Sequence, residues 1–110
     1  MESNSSINQI LQLEANLVMV LRSIYDPEIP VNIYDLGLIY DIEIDEERKV
    51  EIRMTLTAPN CPVADSILME VQQKTAAVEG ITASEVKLVF DPPWDQSMMT
   101  EEAKLELGML

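Results

Sequence analysis

The sequence predicts an α+β fold of two layers, with elements in the order α-β-β-α-β-α and a small mixed three-stranded sheet covered by helices on one face. Three observations predict it. Apolar residues recur at helical spacing over residues 7–25, two alternating stretches flank a polar turn at Glu46-Glu47-Arg48, and a helical run after Pro62 leads into a third alternating stretch. A chain of 110 residues is long enough for one domain, spanning 1–110, that buries roughly two thirds of the surface its unfolded form exposes. No internal repeat, low-complexity block or linker divides it.

Residues 1–6 are polar and predicted to fray, with Ser6 as a candidate cap for a helix that begins near Ile7. In that helix Ile7, Ile10, Leu11, Leu17, Val18, Leu21, Ile24 and Tyr25 form the apolar stripe, and Gln9, Gln12, Asn16 and Arg22 the polar side. A sheet with one apolar face needs such a cover. The first strand, 38–45, sets Leu38, Tyr40, Ile42 and Ile44 against Asp41, Glu43 and Asp45. The second, 50–57, sets Val50, Ile52, Met54 and Leu56 against Glu51, Arg53, Thr55 and Thr57, and the two form an antiparallel hairpin. The second helix carries Ala64, Ile67, Leu68, Val71 and Val78 on one stripe and ends before Gly80. In the third strand Val86, Leu88 and Phe90 alternate with Glu85 and Lys87, and the intervening helix makes it parallel to the second. Asp91-Pro92-Pro93-Trp94-Asp95 stops that strand, and the C-terminal helix and tail, 97–110, start at a Ser97 or Thr100 cap and run through Leu107 to Gly108. Trp94, Met98, Met99, Leu105, Met109 and Leu110 close one end of the core or meet a partner.

Two segments carry candidate chemistry. The loop Asp26-Pro27-Glu28-Ile29-Pro30-Val31-Asn32-Ile33-Tyr34-Asp35-Leu36-Gly37 cannot be a regular helix, and it holds the carboxylates Asp26, Glu28 and Asp35. Asp26 can equally end the first helix, and Asp35 can equally shape the turn before Gly37. The stretch Thr55-Leu56-Thr57-Ala58-Pro59-Asn60-Cys61-Pro62-Val63 delivers the only cysteine of the chain to a strand-to-helix corner. Pro59 ends the strand, Pro62 suits the first helical position, and Cys61 falls at the N-cap, where backbone N–H groups favour the reactive thiolate. A small apolar residue filling that corner is the other reading of Cys61.

Composition excludes several classes. Twenty acidic and seven basic residues give a net charge of −13, which argues against nucleic acid as a partner. The absence of histidine removes Cys-His catalysis and the usual mixed zinc sites, and three scattered glycines make no phosphate cradle. One cysteine makes no internal disulfide, no stretch approaches the roughly 20 apolar residues of a membrane span, and the N-terminus lacks a basic signal-peptide start. These features predict a cytoplasmic protein with no membrane partner. A lone thiol serves as a redox group, an acyl acceptor or a soft-metal ligand, and it cannot hold an iron–sulfur centre without ligands from elsewhere.

Asp26-Pro27-Glu28-Ile29-Pro30-Val31, Asp35-Leu36-Gly37-Leu38, Thr55-Leu56-Thr57 with Asn60-Cys61-Pro62, and Asp91-Pro92-Pro93-Trp94, in that order, closely resemble the small iron–sulfur cluster assembly domain family. That family includes SufT proteins, the PaaD protein of phenylacetate degradation and the eukaryotic cytosolic iron–sulfur targeting proteins. The resemblance covers residues 11–108. It implies a non-enzymatic role in maturing iron–sulfur proteins, with no catalytic residues and no stably bound cofactor. It further implies Cys61 as the functional thiol and transient cluster ligand, supported by Asp26, Glu28, Asp35, Thr55, Thr57, Asn60 and Pro62. Its implied partners are iron–sulfur assembly proteins and apoprotein clients, and the single thiol, which needs ligands from a second chain or an exogenous thiol to hold a cluster, adds a homodimer as a candidate. Two other roles fit the resemblance: an adaptor that presents clients through the acidic surface and apolar tail, and a thiol enzyme or an accessory factor for a multicomponent oxygenase.

Overall fold

The computed structural model describes residues 2–26, 29–57 and 64–109. Helix α1 (Glu2–Leu21) leads through the loop into strand β1 (Ile39–Ile44), then β2 (Lys49–Met54), helix α2 (Ala64–Ala76), β3 (Ala83–Leu88), a 3-10 turn at Gln96–Met98 and helix α3 (Glu101–Glu106). The strand order is β1-β2-β3, with β2 antiparallel to β1 and parallel to β3, so the sheet is mixed as predicted. Val50, Ile52 and Met54 of β2 are buried on one face, while Arg53 on the other face is exposed.

The first helix departs from its predicted boundary and from part of its predicted stripe: Leu17, Leu21 and Ile24 are buried as expected, but Ile7, Leu11 and Tyr25 are not. The helix starts at Glu2, and its core contacts are Leu13, Leu17 and Leu21, with Ile24 just beyond its end. Ile7 and Leu11 are 55% and 56% exposed, and Tyr25 is exposed as well. Twenty helical residues span about 30 Å, whereas six-residue strands span about 20 Å, so the N-terminal part of α1 extends past what the sheet covers.

Strand β1 holds the second departure. Ile39 pairs with Met54 and Asp41 with Arg53, so Tyr40 is an extra residue in a β-bulge. The bulge turns Ile39 toward the core beside Ile42 and Ile44 and sends Tyr40 elsewhere, its hydroxyl donating to Pro92 O at 2.7 Å. At the other end of the hairpin, Asp45 Oδ1 accepts from the N–H groups of Glu47 and Lys49, both at 2.9 Å, and Arg48 takes a left-handed φ of 66°. Phe90, which was expected on the apolar side of the third strand, lies beyond β3 and is exposed.

Helix α2 packs Ile67 and Val71 into the core. Its buried Thr75 bonds the Val71 carbonyl at 2.6 Å and shares a 2.7 Å hydrogen bond with Ser84 Oγ, which ties α2 to β3. Of the two candidate caps of α3, Thr100 is the one used: its Oγ1 accepts from Ala103 N at 3.2 Å, while Ser97 bonds Asp95. Met99 and Ala103 are core residues, so this part of the tail closes the core, but Leu105 and Met109 stay exposed. Because α1 already begins at Glu2, Ser6 lies within its first turns and is not the N-cap the sequence suggested, while the side chain of Ala64 and the terminal Leu110 lie outside what is described.

Candidate functional site

Topology gathers the candidate segments at one end of the sheet. The C-terminal end of β2, the C-terminal end of β3 and the start of β1 lie side by side there. Thr55 N donates to Leu38 O and Val89 N to Met54 O, both at 2.8 Å, which places the Asp26–Gly37 loop on one side of β2 and the segment after β3 on the other. That segment then crosses to the loop. Trp94 Nε1 donates to Leu36 O at 2.7 Å and Thr100 N to Asp35 O at 2.9 Å. Gly37, at a φ of 82°, accepts the crossing: a Cβ there would meet the carbonyl carbon of Met98 at 2.8 Å.

Asp26 and Asp35 are only 7% and 6% exposed. Asp26 Oδ1 accepts from Ile29 N at 2.9 Å, and its own N–H donates to Val31 O, folding the chain back after α1. Asp35 is braced by Asn32, whose Nδ2 donates to Asp35 Oδ2 and whose Oδ1 accepts from Asp35 N, each at 2.8 Å. Arg22 Nη2 lies 3.6 Å from Asp35 Oδ1, and its guanidinium sits 5.3 Å from the centroid of the Tyr34 ring. These bonds favour the turn-shaping reading of Asp35. Asn32 and Arg22 are the members of this brace that the sequence reading missed, and the Asn32-x-x-Asp35 spacing of two short polar side chains was the available signal.

Asp35 Oδ1, at 3.6 Å from Arg22, accepts no hydrogen bond among the described residues, and Thr55 is the second such case in the site. It is 0% exposed, yet its hydroxyl has no hydrogen-bond partner among the described residues. Burying an unpartnered hydroxyl costs about 1–3 kcal/mol, so the packing around it does not explain why a polar residue stands there. Thr57, two residues on, is half-buried. Glu28, Asn60, Cys61 and Pro62 lie outside the described residues; of the others, Asp35, Thr55 and Thr57 stand at one end of the sheet, and Asp26 stands at the start of the loop that leads there. Among the described residues no group of three or more Cys, Asp or Glu side chains is arranged to hold a metal ion, and no helix is long and apolar enough to cross a membrane.

The molecule has clear relatives. It is 52% identical over 103 residues to an Fe-S protein maturation auxiliary factor of Porphyromonas gingivalis, across 94% of this chain and 98% of that one. It is 37% identical over 86 residues to the Fe-S protein maturation auxiliary factor SufT of Staphylococcus aureus, across 78% of this chain and 98% of the other. A crystal structure of a domain of unknown function from Bacillus anthracis superposes with a TM-score of 0.83 at 36% identity, covering 90% of this chain and 94% of that one. The matched fold is the α+β arrangement described above, and the profile of one family, the iron–sulfur cluster assembly proteins, matches residues 14–88, from the buried face of α1 to the end of β3. The chain belongs to the iron–sulfur cluster assembly protein family.

Proposed function

We propose that this chain, working as one domain, is a maturation factor that holds an iron–sulfur cluster briefly through Cys61 and passes it to apoproteins. The observation that carries the reading is the convergence of the Asp26–Gly37 loop, Thr55, Thr57 and the Asp91-Pro92-Pro93-Trp94 segment at the end of β2, from which the chain runs on to Cys61. Asp35 and Thr55 are buried at that end of the sheet, and Thr55 and Thr57 stand six and four residues before Cys61, which supports reading the corner as the place where a ligand is held. The cluster is cargo, and the transfer is ligand exchange: a client thiol takes the iron as a thiolate, and its proton passes to the Cys61 sulfur that is released. One thiolate leaves most iron positions to other ligands, which favours release.

Replacing Cys61 with Ser tests this. The reading expects iron–sulfur enzymes in a strain that depends on this protein to lose activity, while the variant keeps the wild-type melting temperature. Full support by Cys61→Ser would contradict it.

A second reading, an adaptor that presents clients, draws on α3. Leu105 is 65% exposed beside Met109, with Glu101, Glu102 and Glu106 around them. Because Trp94, Met99 and Ala103 pack on or within the core, truncation after Pro93 damages the fold and is the wrong test. A Leu105→Ser, Met109→Ser double variant is the right one, and unchanged client capture by it counts against the adaptor.

A further inference from the structure

The outer edge of β3 is open, since the sheet order is β1-β2-β3 and no strand among the described residues pairs with its far side. Exposed edges are normally blunted by bulges, prolines or covering elements. The opposite edge strand, β1, has its bulge at Tyr40, but β3 runs in unbroken register from Ala83 to Leu88 with no proline. Val89 N donates to Met54 O, and backbone direction alternates along a strand, so Ser84, Val86 and Leu88 turn their N–H and C=O groups outward.

This edge is self-complementary. An antiparallel twofold centred on Val86 pairs Val86 with its own copy and Ser84 with Leu88 of the partner subunit, using all three outward-facing residues of each chain. The same register sets Glu85 opposite the partner's Lys87, twice, on the open face of the sheet, where non-hydrogen-bonded pairs bring side chains closest. Glu85 and Lys87 cancel each other, so the contact strip carries no net charge within a chain of −13. We propose that the β3 edge is the interface of a homodimer, joining two three-stranded sheets into one of six strands through Val86 and the reciprocal Glu85–Lys87 pairs.

In such a dimer the C-terminal ends of the two β2 strands point in opposite directions, about 20 Å apart by strand spacing and rise. If the cluster-carrying role proposed above holds, and only this consequence rests on it, each chain serves its own client.

Sedimentation equilibrium of the iron-free full chain tests the dimer without reference to clusters. Wild type is expected to dimerise. Lys87→Glu and Glu85→Lys are each expected to weaken association about tenfold or more, because each sets like charges opposite one another twice. An equimolar mixture of the two variants restores every opposite-charge pair and is expected to regain the dimer, which also shows that loss of the Lys87–Glu51 ion pair is not the cause. A wild type that stays monomeric at its highest soluble concentration, as an edge reserved for a client strand would give, overturns the proposal. So do single variants that dimerise like wild type, and a mixture that stays monomeric.

Discussion

Thr55 poses the sharpest question at the residue scale, because a valine would fill nearly the same volume without an unpartnered hydroxyl. Thr55→Val is expected to raise stability by about 1 kcal/mol, read from urea denaturation, and to lower support of iron–sulfur enzymes if the hydroxyl serves the cluster-carrying role. A variant that loses stability would mean the hydroxyl is paired in the folded protein. At Gly37 the expected sign is opposite. Gly37→Ala combines a positive φ with a clash against the Met98 backbone, and should cost about 1–3 kcal/mol or more in the same assay. Glu51 adds a pH effect: its carboxyl is held below its ordinary value of 4.5, chiefly by Lys87, whose ammonium lies 3.0 Å from Glu51 Oε1, and the same pairing holds Lys87 above its ordinary 10.5. A lowered carboxyl contributes stability that is present above 4.5 and lost as pH falls through its folded value; a raised ammonium contributes stability that is present below 10.5 and lost as pH rises through its own. Glu51→Gln should therefore lessen the acid-side loss of stability relative to wild type, in denaturant titrations from neutral pH downward.

The elements show what a sequence can and cannot specify. Thr100 and Gly108 bracket α3 as their chemistry dictates, since a hydroxyl cap and a left-handed glycine act within a few residues of their own position. Thr100→Ala should cost about 1 kcal/mol in a melting or denaturant measurement. The facing of α1 was legible only in part. Ile7, Leu11 and Val18 make one helical stripe and Leu13, Leu17 and Leu21 make another, and only the placement of the sheet decides which is buried. The bulge at Tyr40 was hidden for a related reason: Leu38, Tyr40, Ile42 and Ile44 alternate without a break, and the extra residue shows only once β2 supplies a register. The polar brace of the loop was half legible, since Asp35 was marked as a turn residue while Asn32 and Arg22, which hold it, are distant or inconspicuous in the pattern.

For the molecule as a whole, one core joins α1, α2 and a sheet face to Val31, Ile33 and Leu36 of the loop and to Met99 and Ala103 of the tail. Val71 is fully buried where α2 meets that core, and Val71→Asp should unfold the domain at a cost of several kcal/mol by burying an unpaired charge. A cooperative melt near wild type would contradict the packing described. The segments that meet at the end of β2 come from three separate stretches of sequence, and each was marked by its motif before its neighbours in space were known. The central claim is that this assembly serves Cys61 as a transient cluster ligand. Its most direct test is iron and sulfide per chain after anaerobic reconstitution, comparing wild type with Cys61→Ser. Iron and sulfide bound by wild type and absent from the variant is the predicted result; equal amounts in both, or none in either, would contradict it.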